Sequence, residues 1–166
     1  MRVIIKTKDT KEYFSGYFDP VTSKDLKSLA LWFFNWLEEY ENPNRQVYKL
    51  TIAGNDVIQA AISFEYRDGY VLVENLESAN WGKESKSGIN VAPTMLAAVC
   101  QLSVQAGHEG FVLITSKHNK KLMDYYAKLG AQQIGSTSRM AINEVASQKL
   151  IDVYLHKGGG SIHGEK

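Results

Sequence analysis

The run Gly110-Phe111-Val112-Leu113-Ile114-Thr115-Ser116 is continuously apolar through its centre, with no polar alternation. Such a run predicts a central strand covered on both faces, Phe111 to Thr115. On its N-terminal side, Gly88-Ile89-Asn90-Val91-Ala92-Pro93-Thr94-Met95-Leu96 leads into an amphipathic segment ending at Ala106. That segment places Met95, Val99, Leu102, Ser103 and Ala106 on one face and stops at Gly107, which predicts a helix. On the other side, Asn119 through Ala131 predicts a second helix. Upstream, the runs Val47 to Ala53, Val57 to Tyr66 and Tyr70 to Leu76 are joined by Gly54-Asn55-Asp56 and Arg67-Asp68-Gly69. Short Gly/Asn/Asp connections between apolar runs predict an antiparallel meander.

The N-terminal third predicts strands at Arg2 to Thr7, alternating around Val3 and Ile5, and at aromatic-rich Glu12 to Phe18, with a break at Asp19-Pro20. From Ser23 a helical stripe runs through Leu26, Leu29, Ala30, Phe33, Leu37 and Tyr40 towards an end near Asn42-Pro43. Trp32, Phe34 and Trp36 lie outside that stripe. This helix is therefore apolar over more of its circumference than one core contact needs, which implies a covering element, a pocket wall or a homodimer contact. The polar residues Glu77 to Ser87 predict the longest internal loop. Gln132 to Gly135 and Arg139 to Ile142 predict a hairpin, and Val145 to Leu155 a final helix. The stretch from Gly158 to Lys166 has the composition of a disordered tail. No repeat or linker divides the rest, so residues 1–157 are expected to form a single α+β domain.

Composition narrows the function classes. At 166 residues, 44% hydrophobic and 22% charged, the chain has ordinary globular values and is long enough to bury a substantial core. A net charge of +1 supplies no global attraction to nucleic acid or to an acidic membrane. No apolar run approaches the ~20 residues that span a bilayer, no signal peptide is evident, and Cys100 has no cysteine to pair with, so the expected location is cytoplasmic. His108, His118, His156 and His163 lack metal-ligand spacing, and no metal is expected.

Two segments carry a family resemblance. Ser87-Gly88-Ile89-Asn90-Val91-Ala92 followed by Met95-Leu96 is similar to the Gln/Arg-x-x-Gly-x-Gly/Ala motif and paired leucines of the GNAT superfamily of acyl-CoA-dependent N-acetyltransferases. Asn119-x-x-Leu122-x-x-x-Tyr126-x-Lys128-Leu129-Gly130-Ala131 resembles that family's Asn-x-x-Ala-x-x-x-Tyr-x-Lys-Leu-Gly-Phe segment more closely. The resemblance spans about Val47 to Ile142. It implies a mixed, mainly antiparallel sheet with helices on both faces, and acetyl-CoA as co-substrate. Gly88, Ile89, Asn90, Val91, Ala92, Thr94, Met95 and Asn119 are then the cofactor-binding candidates.

The first motif also has a physical basis of its own. A helix N-terminus exposes unpaired N–H donors at the positive end of the macrodipole, and small residues let a pyrophosphate approach them. This chain departs from the family pattern in three places. Ser87 stands where a longer polar or basic side chain is usual, Asn90 replaces a glycine, and Pro93 has no N–H to donate. Lys117, Lys120 and Lys121 are either phosphate partners or a solvated helix start.

The reaction the resemblance implies is direct attack of an amine on the thioester, with the acceptor deprotonated and the leaving thiolate protonated. Tyr126 occupies the general-acid position, against the alternative of a tyrosine that only packs its ring. Glu74 and Glu77, at the end of the third meander strand, are the candidate bases. Regular alternation sets Glu74 with Leu76 on one face and Asn75 with Glu77 on the other, so only one glutamate is expected to face the acceptor. Cys100 reads as packing. The acceptor is open among a small amine, a protein lysine or N-terminus, an antibiotic and a charged tRNA. The alternative function is a GNAT-fold module that binds acyl-CoA or a protein without turnover.

Overall fold

The computed structural model describes residues 1–9, 11–79, 89–116 and 119–155. Gly88, Lys117, His118, His156, the proposed tail and most of the Glu77 to Ser87 loop lie outside them. The strands are β1 (Arg2–Thr7), β2 (Tyr13–Pro20), β3 (Gln46–Ile52), β4 (Asn55–Arg67), β5 (Tyr70–Ser78), β6 (Ile89–Asn90), β7 (Val112–Thr115), β8 (Gln132–Gln133) and β9 (Arg139–Ile142). They form one sheet in the order β6-β1-β2-β3-β4-β5-β7-β9-β8. Among these pairings β5–β7 is parallel and the rest are antiparallel. The helices are α1 (Leu26–Leu29), α2 (Trp36–Glu41), α3 (Val91–Gln105), α4 (Lys120–Lys128) and α5 (Glu144–Tyr154).

The two faces of the sheet carry separate cores. On one, Met95, Leu96 and Val99 of α3 and Leu150 and Ile151 of α5 pack on Val3, Ile5, Ile62, Phe64, Val71, Val73 and Ile114. On the other, Leu29 and Trp36 pack with Val21, Val47, Ile58 and Ala61. Helix α3 is buried over most of its circumference, Cys100 included. It ends before Gly107, whose φ of 87° is a left-handed conformation that glycine adopts without a Cβ penalty. Asn119 and Asn143 cap α4 and α5, their side chains accepting from the N–H groups of Leu122 at 3.0 Å and Ala146 at 2.9 Å. Gly16 sits where a Cβ would lie 2.6 Å from Ile5 Cδ1 and 2.7 Å from the Thr51 carbonyl oxygen, so close packing of β1, β2 and β3 requires glycine there.

Three expectations are corrected. Asp19-Pro20 does not break β2, because Pro20 is the strand's last residue, where a missing N–H is tolerated, and it pairs with Tyr48. Asn55 and Asp56 belong to β4, leaving Ala53-Gly54 as the turn. The largest correction concerns residues 23–40. Instead of one helix, a 3-10 turn at Ser23–Asp25 leads into the single turn of α1, an irregular stretch follows, and α2 begins at Trp36 under an Asn35 cap. Trp36 is 1% exposed and Phe33 86% exposed, the reverse of the assignment made by a continuous stripe. The cause is long-range: a carboxylate from β5 captures the N–H groups that a helix would have used.

Candidate functional site

The site is organised by an opening in the sheet. Strand β5 pairs with β7 only through Val71–Val112, Leu72–Leu113 and Val73–Ile114. Beyond Val73, β5 continues to Ser78 against β4 alone. Among the described residues β7 does not pair with that stretch. At the mouth, β4–β5 pairing shifts between Ser63–Asn75 and Phe64–Val73, leaving Glu74 as the extra residue of a β-bulge.

This bulge overturns the alternation argument for the glutamates. Glu74 and Asn75 point to the same face: Glu74 Oε2 lies 3.5 Å from Arg45 Nη2, and Asn75 Nδ2 donates to Glu39 Oε1 at 3.1 Å. Glu77 follows on that face, whereas Leu76 packs against the α3 core. Both candidate carboxylates therefore share the α1–α2 face, and Leu76 does not accompany Glu74.

Their surroundings differ. Glu77 Oε2 accepts from the Phe33 N–H at 2.7 Å, and Oε1 accepts from the Phe34 N–H at 3.1 Å and Trp36 Nε1 at 2.9 Å. Glu74 belongs to a half-buried cluster in which Arg45 bridges Glu39 and Glu65, and Arg67 pairs with Glu65. Hydrogen bonding from Arg45 holds the Glu65 carboxyl below its ordinary value, against the opposing effect of burial. The cluster was not identified from the sequence, because its members come from α2, the α2–β3 connection, β4 and β5 with no shared local spacing.

On the opposite face, Tyr126 of α4 is 5% exposed and packs in the same core as Val73 and Ile114, the last β5–β7 pair. Burial, and secondarily Tyr125, pushes its hydroxyl up to about 12. The hydroxyl is therefore protonated at physiological pH. Tyr125 packs beside it, with ring centroids 5.9 Å apart, and donates its hydroxyl to Asn90 Oδ1 at 3.1 Å. The two segments singled out in the sequence thus meet at the start of α3.

That start differs from the anticipated loop. Ile89 and Asn90 form β6 and pair with Thr7 and Lys6 of β1, and α3 begins at Val91. Ala92 is half-buried in the first helical turn rather than on a surface loop. Val91, Thr94 and Met95 are buried, and the Thr94 hydroxyl donates to the Ile4 carbonyl at 2.8 Å. Of the described cofactor-binding candidates at the helix start, Ile89, Asn90 and Ala92 are half-buried, while Asn119 caps α4. The Cys100 thiol, pushed up to about 12 by burial, is no nucleophile. Among the described residues no group of three or more His, Cys, Asp or Glu has metal-holding geometry, and no helix is long and apolar enough to cross a membrane.

No protein-family model and no curated protein matches the chain. Solved structures do. Apo FdhC, a nucleotide-linked sugar GNAT, aligns with TM-score 0.60 at 10% identity, covering 90% of this chain and 93% of its own. A point mutant of spermidine N-acetyltransferase SpeG from Vibrio cholerae aligns with TM-score 0.57 at 10% identity, over 80% of this chain and 95% of its own. A point mutant of the AtaT toxin, bound to the C-terminus of the antitoxin AtaR and acetyl-CoA, aligns with TM-score 0.51 at 12% identity, over 81% and 97%. The fold of this chain is that of the GNAT superfamily.

Proposed function

We propose that the protein is an N-acetyltransferase that moves the acetyl group of acetyl-CoA to an amine by direct attack. The observation that carries this reading is the opening beside β5, with Tyr126 in the core on one face and the Glu74–Glu77 segment on the other. In this reading a ligand seated at the opening is met by groups from both faces. The acetyl-CoA complex of the AtaT variant supports the choice of donor.

In this reading the N–H groups at the start of α3, from Asn90 to Ala92, receive the coenzyme A phosphates, with buried Val91, Thr94 and Met95 anchoring the helix and Asn119 ordering α4. The amine nitrogen attacks the thioester carbonyl, a C–N bond forms, the C–S bond breaks, and the Tyr126 hydroxyl donates its proton to the leaving sulfur. Of the two carboxylates, Glu74 is assigned as base, acting directly or through water. Its contact to Arg45 is the longest in the cluster, whereas the oxygens of Glu77 are engaged by three N–H donors. The amine proton leaves to Glu74.

The test is thiol release from acetyl-CoA across a panel of amines, beside calorimetric binding of coenzyme A. Acceptor-dependent release supports the enzyme. Binding without release across the panel favours a non-catalytic acyl-CoA module, and neither would remove both readings.

A further inference from the structure

The irregular stretch between α1 and α2 lines a half-open cavity of about 400 Å3, bounded by Leu26, Leu29, Trp32, Phe33, Phe34 and Trp36. Its aromatic wall is built edge to face, with Phe33 and Phe34 centroids 5.1 Å apart and Phe34 and Trp36 6.0 Å apart. In this stretch the N–H groups of Ala30 and Trp32 donate to the carbonyls of Lys27 and Leu29. The Glu77 carboxylate takes up those of Phe33 and Phe34 at 2.7 and 3.1 Å, together with the Trp36 indole N–H at 2.9 Å. The same carboxylate sits on the part of β5 that has left β7. The aromatic wall is thus fastened to the strand that borders the opening.

Two further observations point to an occupant. Phe33, which lines the cavity, is 86% exposed, an apolar surface that a bound apolar group would cover, and its near neighbour Leu31 is 98% exposed. Helix α2 carries Glu38, Glu39 and Glu41 and no basic residue, and among the described residues Glu39 alone of these is matched to a cation, Arg45. A mainly apolar pocket lined by the first residues of a helix that carries surplus carboxylates is complementary to an ammonium ion that bears a hydrophobic group.

We infer that the cavity receives the hydrophobic part of the acceptor, an amine carrying an aromatic or branched aliphatic group, and that Glu77 is the positioning residue that holds its wall. The inference rests on the acetyltransferase reading. A cavity of this size accommodates a ring and a short chain, leaving the amine on the side of Glu77 and β5. Glu77 then acts on acceptor binding through Phe33, Phe34 and Trp36, without touching the reacting atoms.

The test compares phenethylamine and isoamylamine with methylamine and spermidine. Binding is measured by tryptophan fluorescence without acetyl-CoA and turnover by thiol release with it. Phenethylamine is expected to shift the fluorescence at concentrations where methylamine does not, and to be acetylated with a kcat/KM at least tenfold higher. Ala30→Phe, which adds bulk at a residue lining the cavity, should lower that phenethylamine-to-methylamine ratio by tenfold or more. Because the ratio is internal to each variant, partial unfolding does not alter it. Glu77→Gln replaces one acceptor oxygen with an NH2 facing N–H donors. It should raise KM for phenethylamine at least tenfold against at most threefold in kcat, and leave the acid limb of the kcat profile in place.

Turnover with equal preference for all four amines, or a ratio unchanged in Ala30→Phe, would overturn the cavity assignment while the enzyme reading survives. A kcat loss in Glu77→Gln with KM unchanged would make Glu77 the base and overturn its positioning role. A fluorescence response with no turnover of any amine removes the enzyme reading, and the acceptor assignment with it. Sedimentation of the parent as a dimer that separates in Phe33→Asp would assign the surface to a second copy of the chain and overturn the proposal.

Discussion

Replacing Trp36 and Phe33 separately with alanine tests the break at residues 30–35 directly. A continuous helix from Ser23 places Phe33 in its apolar stripe and Trp36 outside it; the folded chain does the opposite, with Trp36 1% exposed and Phe33 86% exposed. Truncating a buried aromatic costs about 3–5 kcal/mol through lost transfer energy and the cavity left behind. Trp36→Ala also removes the 2.9 Å N–H donor to Glu77, and a hydrogen bond to a charged group is worth about 1.5–3 kcal/mol. The two terms overlap, because water entering the cavity solvates the carboxylate, so the expected loss is about 5 kcal/mol. For a domain of this size, at roughly 2–4 °C per kcal/mol, that is a Tm decrease of about 10–20 °C. Phe33→Ala should stay within about 0.5 kcal/mol, as an exposed substitution does. Urea unfolding followed by circular dichroism, with the slope m checked for constancy, gives both numbers. Equal losses, or a larger loss for Phe33→Ala, would refute the broken-helix packing and restore the continuous stripe.

Tyr126→Phe keeps the buried ring and deletes the donor, so kcat should fall by about 10²–10⁴ with coenzyme A affinity and Tm nearly unchanged; Tyr125→Phe, which loses its bond to Asn90, should lack that fall in kcat, and equal activity in Tyr126→Phe and the parent would remove Tyr126 from the mechanism. Coenzyme A at a hundredfold excess over its Kd should stabilise the fold by about 2.7 kcal/mol, seen as a thermal shift that Ala92→Glu abolishes while the apo protein still melts cooperatively, since an acidic residue suits a first helical turn. Stability should fall above about pH 9–10, because Cys100 and Tyr126, both pushed up to about 12 in the folded state, keep their protons there while the unfolded chain has lost them; the unfolded state binds fewer protons, so the slope with pH is negative. A rise of about two pH units at Tyr126 amounts to about 3 kcal/mol by about pH 12, and a flat urea midpoint between about pH 8 and 11 would contradict the burial of both groups. Gly16→Ala should destabilise by about 1–3 kcal/mol as an overpacked site, because its Cβ would meet Ile5 Cδ1 and the Thr51 carbonyl; urea unfolding measures it, and an unchanged midpoint would contradict the close approach of β1, β2 and β3.

Elements whose signal is local were legible in the chain itself. The Gly54 and Gly69 turns and the unbroken apolar run at Val112–Thr115 each depend on neighbours within a few residues, and each reappears in the folded molecule. The Asn119–Ala131 segment was expected as a helix, and Tyr126 stands on α4. What the sequence could not show was anything decided by residues far apart. The bulge at Glu74 exists because β4 and β5 slip by one position, and that slip sets two consecutive side chains on one face where period-two alternation allows one. The break in the first helix depends on Glu77, more than forty residues downstream, supplying a carboxylate to N–H groups that a helix would otherwise pair internally. Helical periodicity reports what residues 23–40 prefer in isolation. The β5 carboxylate and the apolar face that buries Trp36 outweigh that preference, because three charge-assisted hydrogen bonds and one buried indole exceed the small free-energy differences that separate a helix from an extended turn.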